Sequence, residues 1–262
     1  MNEPQLVNAR VTEIYEATTR ALQKVVAELK ITEQELLFAG GFFNRLGQSG
    51  MCPSMLIATL AMTSIDVTRN SKAGTRHNLE GPFYRAGAPV LGNGDLVQGQ
   101  SFRGAQKIRL WGVVRDAITG RPLPGAELDF WQADHHGIYD NVGFSLRGVV
   151  VADGQGAYKL DTIVPLDYSA HDDDPIGELY RAMGRHNRRA AHIHVKARST
   201  GHETLTTQLF MGGSTYIDND YVEGAVSDDL LLHAVPDAGS PTAQLDVSAH
   251  FDISLLPALA AG

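Results

Sequence analysis

The chain has 262 residues and a formal net charge of -8, long enough for one large or two small domains with a substantial core. The acidic balance, with no Lys/Arg cluster, argues against nucleic acid as the main partner. The single cysteine, Cys52, excludes an internal disulfide, no apolar run reaches the ~20 residues of a membrane span, and Met1-Asn2-Glu3-Pro4 opens no signal-peptide pattern; the expectation is a soluble cytoplasmic protein.

Val7 to Lys30 carries apolar residues at helical spacing: Val11, Ile14, Tyr15, Thr18, Ala21, Leu22, Val25, Val26 and Leu29. Thr32-x-x-Glu35 is a capping-box signature for a second helix holding Leu36, Leu37, Phe38, Phe42, Phe43 and Leu46. Pro53 suits the first turn of a third, from Ser54 to about Asp66. Residues 1–78 thus read as a helical domain that needs a partner surface, either the domain that follows or a second copy.

From Leu79 the pattern changes, and residues 79–262 read as a β domain. Lys107–Val114, Ala126–Trp131, Tyr158–Ile163, the stretch Ala190–Lys196 and Thr204–Phe210 read as strands, separated by Gly/Pro/Asp turn signals. Leu245, Val247, Ala249, Phe251, Ile253 and Leu255 alternate with polar residues, as a strand with one buried face does. Short strands without helical patterns between them predict an antiparallel β-sandwich, so the fold class is α+β, mainly β. Pro175–His186 reads as a short helix.

His192 and His194 sit two apart on one strand and share a face, about 7 Å apart along the backbone. Alone, the pair reads as surface histidines more readily than as a metal site. Tyr139 and Tyr168 lie just beyond strand ends, where a rigid scaffold holds functional groups. Phenolate oxygen and imidazole nitrogen together suit Fe(III). The Asp172-Asp173-Asp174 run with His171 reads as solvated loop. His135 and His136 read as loop residues, His77, His202, His233 and His250 as structural or solvent-facing, and Cys52 as a buried or interface thiol.

Five segments in order resemble the intradiol ring-cleavage dioxygenases, closer to the catechol/hydroxyquinol branch than to the protocatechuate branch. They are Glu80-Gly81-Pro82-Phe83-Tyr84, Trp131-Gln132-Ala133-Asp134-x-x-Gly137-x-Tyr139, Pro165-x-x-Tyr168, Gly184-Arg185-His186-x-x-Arg189-x-Ala191-His192-Ile193-His194 and Leu205-Thr206-Thr207-Gln208-Leu209. The resemblance implies one non-haem Fe(III) per subunit held by Tyr139, Tyr168, His192 and His194, with Tyr168 the phenolate displaced when substrate chelates. It implies Arg189 beside the substrate ring, Gln208 near the iron, and Leu79, Pro82, Phe83, Tyr221 and Val222 around the substrate. The implied reaction takes a small aromatic diol and O2 and opens the ring of catechol, or a substituted catechol, between its hydroxyls to a cis,cis-muconate; the alternative is hydroxyquinol giving maleylacetate. A homodimer through the N-terminal helices, with a phospholipid held there, is also implied. The chain departs from the family at Ala190, where proline is common after the arginine, and at Ser169-Ala170-His171, which matches neither the catechol nor the hydroxyquinol pattern. The rival readings are a β-sandwich binding module without catalysis and a zinc hydrolase using His192, His194 and a carboxylate.

Overall fold

The computed structural model describes residues 8–70, 73–169, 171–237 and 246–258. The chain forms two compact units, residues 1–52 and 53–262. In the first, α1 (Ala9–Leu29) begins where the Asn8 side chain accepts from Val11 N at 3.2 Å and ends at Lys30, whose left-handed φ of 54° stops the helix; Val7 lies outside the described residues. Helix α2 (Glu33–Gln48) carries the expected capping box, Thr32 N donating to Glu35 Oε2 at 2.8 Å and Glu35 N to Thr32 Oγ1 at 3.3 Å. Val11, Ile14, Leu22 and Val25 on α1 are exposed.

Helix α3 (Cys52–Thr68), read from the sequence as part of the helical head, belongs almost entirely to the second unit. Ala58 and Met62 are buried there, and Ala58 O accepts from Glu223 N at 2.9 Å. Cys52 is exposed rather than buried. The strands that follow are β1 (Lys107–Asp116), β2 (Glu127–Gln132), β3 (Arg147–Val151), β4 (Ala157–Ile163) and β5 (Tyr168–Ser169), then helix α4 (Pro175–Ala182). After it come β6 (Arg188–Arg189), β7 (His192–Arg198), β8 (Leu205–Met211), β9 (Leu231–Leu232), β10 (Val235–Pro236), β11 (Val247–His250) and β12 (Ile253–Leu255).

One sheet runs β10-β11-β1-β12 with β4 also on β1; the other runs β3-β2-β7-β8-β9; β5 and β6 form a separate ribbon. Between the two sheets lie Ile108, Leu110 and Val114 of β1, Leu160 of β4, Leu128 and Phe130 of β2, and Ile193, Val195 and Ala197 of β7, all fully buried. The Phe130 and Tyr158 rings meet across the gap at 6.0 Å. This is a β-sandwich, with apolar residues alternating inward along each strand. Most pairings are antiparallel, but β11 and β12 join β1 in parallel and β9 joins β8 in parallel.

The alternating C-terminal pattern is thus two strands with a break at Phe251-Asp252; Leu245 lies outside the described residues. At the break Asp252 Oδ1 accepts from Val113 N at 2.8 Å, covering a donor that the ladder leaves open. Gly112 sits opposite, and a Cβ there would stand 2.0 Å from Phe251 O. Where β2 and β4 end, Gln132 joins the sheets: its Nε2 donates to Ile163 O at 2.9 Å and its Oε1 accepts from Thr162 Oγ1 at 2.9 Å, all buried. The two loops that leave these strand ends carry Tyr139 and Tyr168. Gly112→Ala should lower stability by about 1–3 kcal/mol, the scale of an overpacked core position, measured as a drop in the urea midpoint.

Candidate metal centre

Strand β7 has little choice about which way its side chains point. Ile193, Val195 and Ala197 fill the gap between the sheets, so His192 and His194 face the outer side of the second sheet. The pairing register sets their neighbours: Trp131 of β2 and Gln208 of β8 lie directly opposite His194, and Phe210 lies opposite His192. The Trp131 ring stacks on the His194 imidazole at 4.6 Å and 9°. Both histidines are 2% exposed, because irregular chain from Leu79 to Tyr84 and the two tyrosine loops cover this face.

The tyrosine loops are tied to each other and to β7. Asp134 Oδ1 accepts from His136 N and Ile138 N, shaping the turn before Tyr139, and Asp134 O accepts from Leu166 N of the other loop at 3.1 Å. Gly137 has φ +78°, and a Cβ on it would lie 2.8 Å from Tyr168 Cβ, so only glycine lets the loops approach this closely. Asp167 accepts from Ala191 N and from the Ser214 hydroxyl, fixing the residue before Tyr168 to the start of β7. Beyond Tyr139, the Asp140 carboxylate takes the Val142, Gly143 and Ser145 amides, which hold it down to about 2.

These constraints bring the four residues together. Nε2 of His192 lies 3.1 Å from Nε2 of His194 and 3.4 Å from the Tyr139 hydroxyl. The Tyr139 and Tyr168 rings are 5.5 Å apart, edge to face. His192 Nδ1 donates to Ala190 O at 2.6 Å, which leaves the lone pair on Nε2, facing the cluster. Burial first, then the Arg189 cation, pulls His192 down to about 3; burial and the neighbouring His192 hold His194 well below its ordinary value. Both rings are therefore neutral, the form that binds metal. Burial raises Tyr168, and burial and then Tyr168 raise Tyr139 well above the usual phenol. Among the described residues no three His, Cys, Asp or Glu side chains are arranged for a metal. The donors that converge here are imidazole and phenol oxygen, a set that fits a ferric ion.

The β5–β6 ribbon sets Tyr168 opposite Arg189. Burial alone would lower the Arg189 guanidinium, but Asp220 and the two phenols more than offset this and raise it. Asp220 accepts from Arg189 Nε at 2.9 Å, from Ala190 N at 2.7 Å and from Val222 N at 2.7 Å. Gln208 Oε1 accepts from Arg189 Nη2 at 2.6 Å, and its Nε2 donates to Leu79 O at 2.9 Å. The Gln208 amide is thus committed on both sides, to the arginine and to the covering segment. Phe83 lies flat on Tyr139, centroids 4.4 Å apart at 16°. Pro82 stands between Phe83 and Gly81, whose Cβ would fall 3.5 Å from His194 Cε1. Tyr221 and Val222 follow Asp220, and Tyr221 packs on His171 and Tyr180.

Sequence reasoning missed Asp220 and Arg147. Asp220 sits in the polar stretch Asp218-Asn219-Asp220, which reads as an exposed turn, and nothing in the sequence marks its long-range pairing. Of the other groups, Asp174 caps α4 and accepts from His171 Nδ1 at 2.6 Å. His202 and His250 pair with Asp116 and Asp252, and the His135 ring contacts that of His136 in the loop.

Residues 79–257 match the family model described as "Dioxygenase". The chlorocatechol 1,2-dioxygenase of Pseudomonas sp. (strain P51) is 31% identical over 245 residues, 92% of this chain and 96% of that protein. The 6-chlorohydroxyquinol 1,2-dioxygenase of Cupriavidus pinatubonensis is 34% identical over 232 residues, 83% of this chain and 82% of that one. The crystal structure of chlorocatechol 1,2-dioxygenase from Pseudomonas putida superposes with a TM-score of 0.84 at 27% identity, over 95% of this chain and 100% of that chain. The chain belongs to the intradiol ring-cleavage dioxygenases. It is an enzyme that opens catechol-type rings.

Asp220→Ala strands a buried guanidinium and should destabilise the protein by about 3–5 kcal/mol, read by chemical denaturation. The Asp140 carboxyl is depressed from about 3.9 in an unfolded chain. Its contribution to stability is therefore complete above pH 4 and lost as pH falls towards 2. Asp140→Asn should be less stable than wild type at neutral pH, with the gap in urea midpoint closing between about pH 4 and pH 2.

Proposed function

We propose that Tyr139, Tyr168, His192 and His194 hold a non-haem Fe(III), and that the enzyme cleaves catechol or a ring-substituted catechol between its hydroxyls to give a cis,cis-muconate. The observation that carries this reading is the approach of two neutral imidazole Nε2 atoms and a phenol oxygen within 3.4 Å, buried beside the Arg189–Asp220 pair. Held there, Fe(III) would supply the Lewis acidity that draws electron density from the diol and makes its ring reactive towards O2.

The chain's own residues do the rest. With iron bound, Tyr168 would be a phenolate whose Oη can take a proton from a diol hydroxyl; the Arg189 cation favours that anionic form, against the burial that raises the free phenol. Arg189 stabilises the negative charge that builds on the substrate oxygens and ring. Asp220 and Gln208 hold that guanidinium still, so little reorganisation accompanies the charge change. Phe83, Leu79 and Trp131 keep water from the cluster, which strengthens each of these interactions.

A second substrate reading, hydroxyquinol giving maleylacetate, is supported by Phe83 after Gly81-Pro82 and by the Trp131-Gln132-Ala133-Asp134 run, which resemble the hydroxyquinol enzymes, whereas Pro53 stands where the catechol type carries proline and the hydroxyquinol type an acid. Product analysis by mass spectrometry, with kcat/KM compared for catechol, chlorocatechols and hydroxyquinol, separates the two. We also place the enzyme in the cytoplasm as a homodimer joined through the helices of residues 1–78, with a phospholipid against the exposed α1 stripe; among the described residues no single helix is long and apolar enough to cross a membrane. A lipid-free monomer in native mass spectrometry would remove both the dimer and the lipid.

The purified protein in air should show a broad visible phenolate-to-Fe(III) absorption band that moves to longer wavelength when catechol is added without oxygen. A protein that stays colourless after reconstitution with iron would remove the ferric reading. Tyr139→Phe should lose colour and turnover together; full turnover in that variant would show that the ligand assignment is wrong.

A further inference from the structure

The side chain of Arg147 is 1% exposed, and among the described residues it forms no ion pair with a carboxylate. The Asp140 and Asp129 carboxylates act on it only at longer range, and a buried guanidinium with no carboxylate in contact is costly, so what it does with its donors is informative. Nη1 donates to Phe83 O at 2.6 Å. Nε and Nη2 both donate to Asp140 O, at 3.1 and 2.9 Å. Its Cζ lies 6.0 Å from the centroid of the Tyr139 ring. One planar fork therefore grips two backbone carbonyls from segments 57 residues apart, from Phe83 to Asp140.

Both carbonyls bear on the same phenol. Asp140 is the next residue after Tyr139, and its own carboxylate is already spent on the turn amides of Val142, Gly143 and Ser145. Phe83 supplies the ring that lies flat on Tyr139. Arg147 itself is fixed by the strand ladder, at the start of β3 opposite Trp131, which in turn stacks on His194. The chain of contacts runs from the rigid sheet through one guanidinium to the segment whose ring stacks on Tyr139 and to the backbone that follows Tyr139.

We infer that Arg147 is a positioning residue for Tyr139: by holding the Phe83 and Asp140 carbonyls at once it sets where the phenol oxygen stands relative to the His192 and His194 nitrogens. The inference rests on the ferric reading above. Lysine keeps the charge but not the planar fork, so it cannot hold both carbonyls in this geometry.

The test uses the full-length protein loaded with Fe(III), with iron affinity and the visible band as readouts beside thermal unfolding. Arg147→Lys and Arg147→Met should each weaken iron retention against a competing chelator by about tenfold or more, the scale seen when a hydrogen-bonding partner behind a metal ligand is lost, and the band should lose intensity. Phe83→Leu, which leaves the Arg147 grip on the backbone but removes the stacked ring, should move the band in the same direction. Folded Arg147 variants with a lower Tm but wild-type iron affinity and band would overturn the inference and leave the ferric reading intact. If the Arg147 variants do not fold, an unchanged band in Phe83→Leu overturns it. A wild-type protein that takes up no iron overturns both.

Discussion

The site depends on one constraint, the register of β7 between its neighbours. Side chains alternate with a period of two, and a slip by one residue would send the histidines into the sandwich and the aliphatic residues out of it. Ile193, Val195 and Ala197 forbid that slip, because each is fully buried between the sheets. The same hydrophobic burial that stabilises the domain therefore aims His192 and His194. Register across three strands then puts Trp131, His194 and Gln208 in one row, so the site's floor is rigid before any loop is added.

The loops are brought to that floor by polar contacts made in places where water cannot compete. Gln132 and Thr162 join the ends of β2 and β4 inside the sandwich, and the tyrosine loops depart from that junction. Asp134, Asp167 and the bare backbone of Gly137 then fix how the two loops lie against each other and against β7. In a low-dielectric interior a satisfied network of this kind is stiff, and an unsatisfied member is expensive. The tyrosines are held by groups that have no chemistry of their own.

Two guanidiniums are buried near the cluster, and they are treated differently. Arg189 meets the carboxylate of Asp220 and the amide oxygen of Gln208, so its charge is compensated and its direction fixed. Among the described residues, the Arg147 guanidinium hydrogen-bonds to carbonyl oxygens rather than to a carboxylate. The positive field of both lowers the cost of anionic oxygen on Tyr139. Burial works the other way on the imidazoles, keeping them neutral and therefore free to donate lone pairs.

The sequence by itself determined the opening helices, most strand positions, the shared face of His192 and His194, and the family, because these are carried by local periodicity and by motifs in order. Pro53 and Thr32-x-x-Glu35 were legible for the same reason: a cap or a first-turn proline acts over a few residues. Only the tertiary structure decided that α3 lies with the β unit, that β11 and β12 run parallel to β1, that Asp220 holds Arg189, and that Arg147 reaches the Phe83 carbonyl. Each of these is a pairing between residues far apart in the chain. Asp220 in a run of polar residues and Arg147 at the head of a short strand look like any surface acid and base until the fold removes the water around them. The physical reason is that periodicity reports which face a residue takes, whereas a buried charge is defined by its partner, and the partner's position is fixed only when the chain has closed.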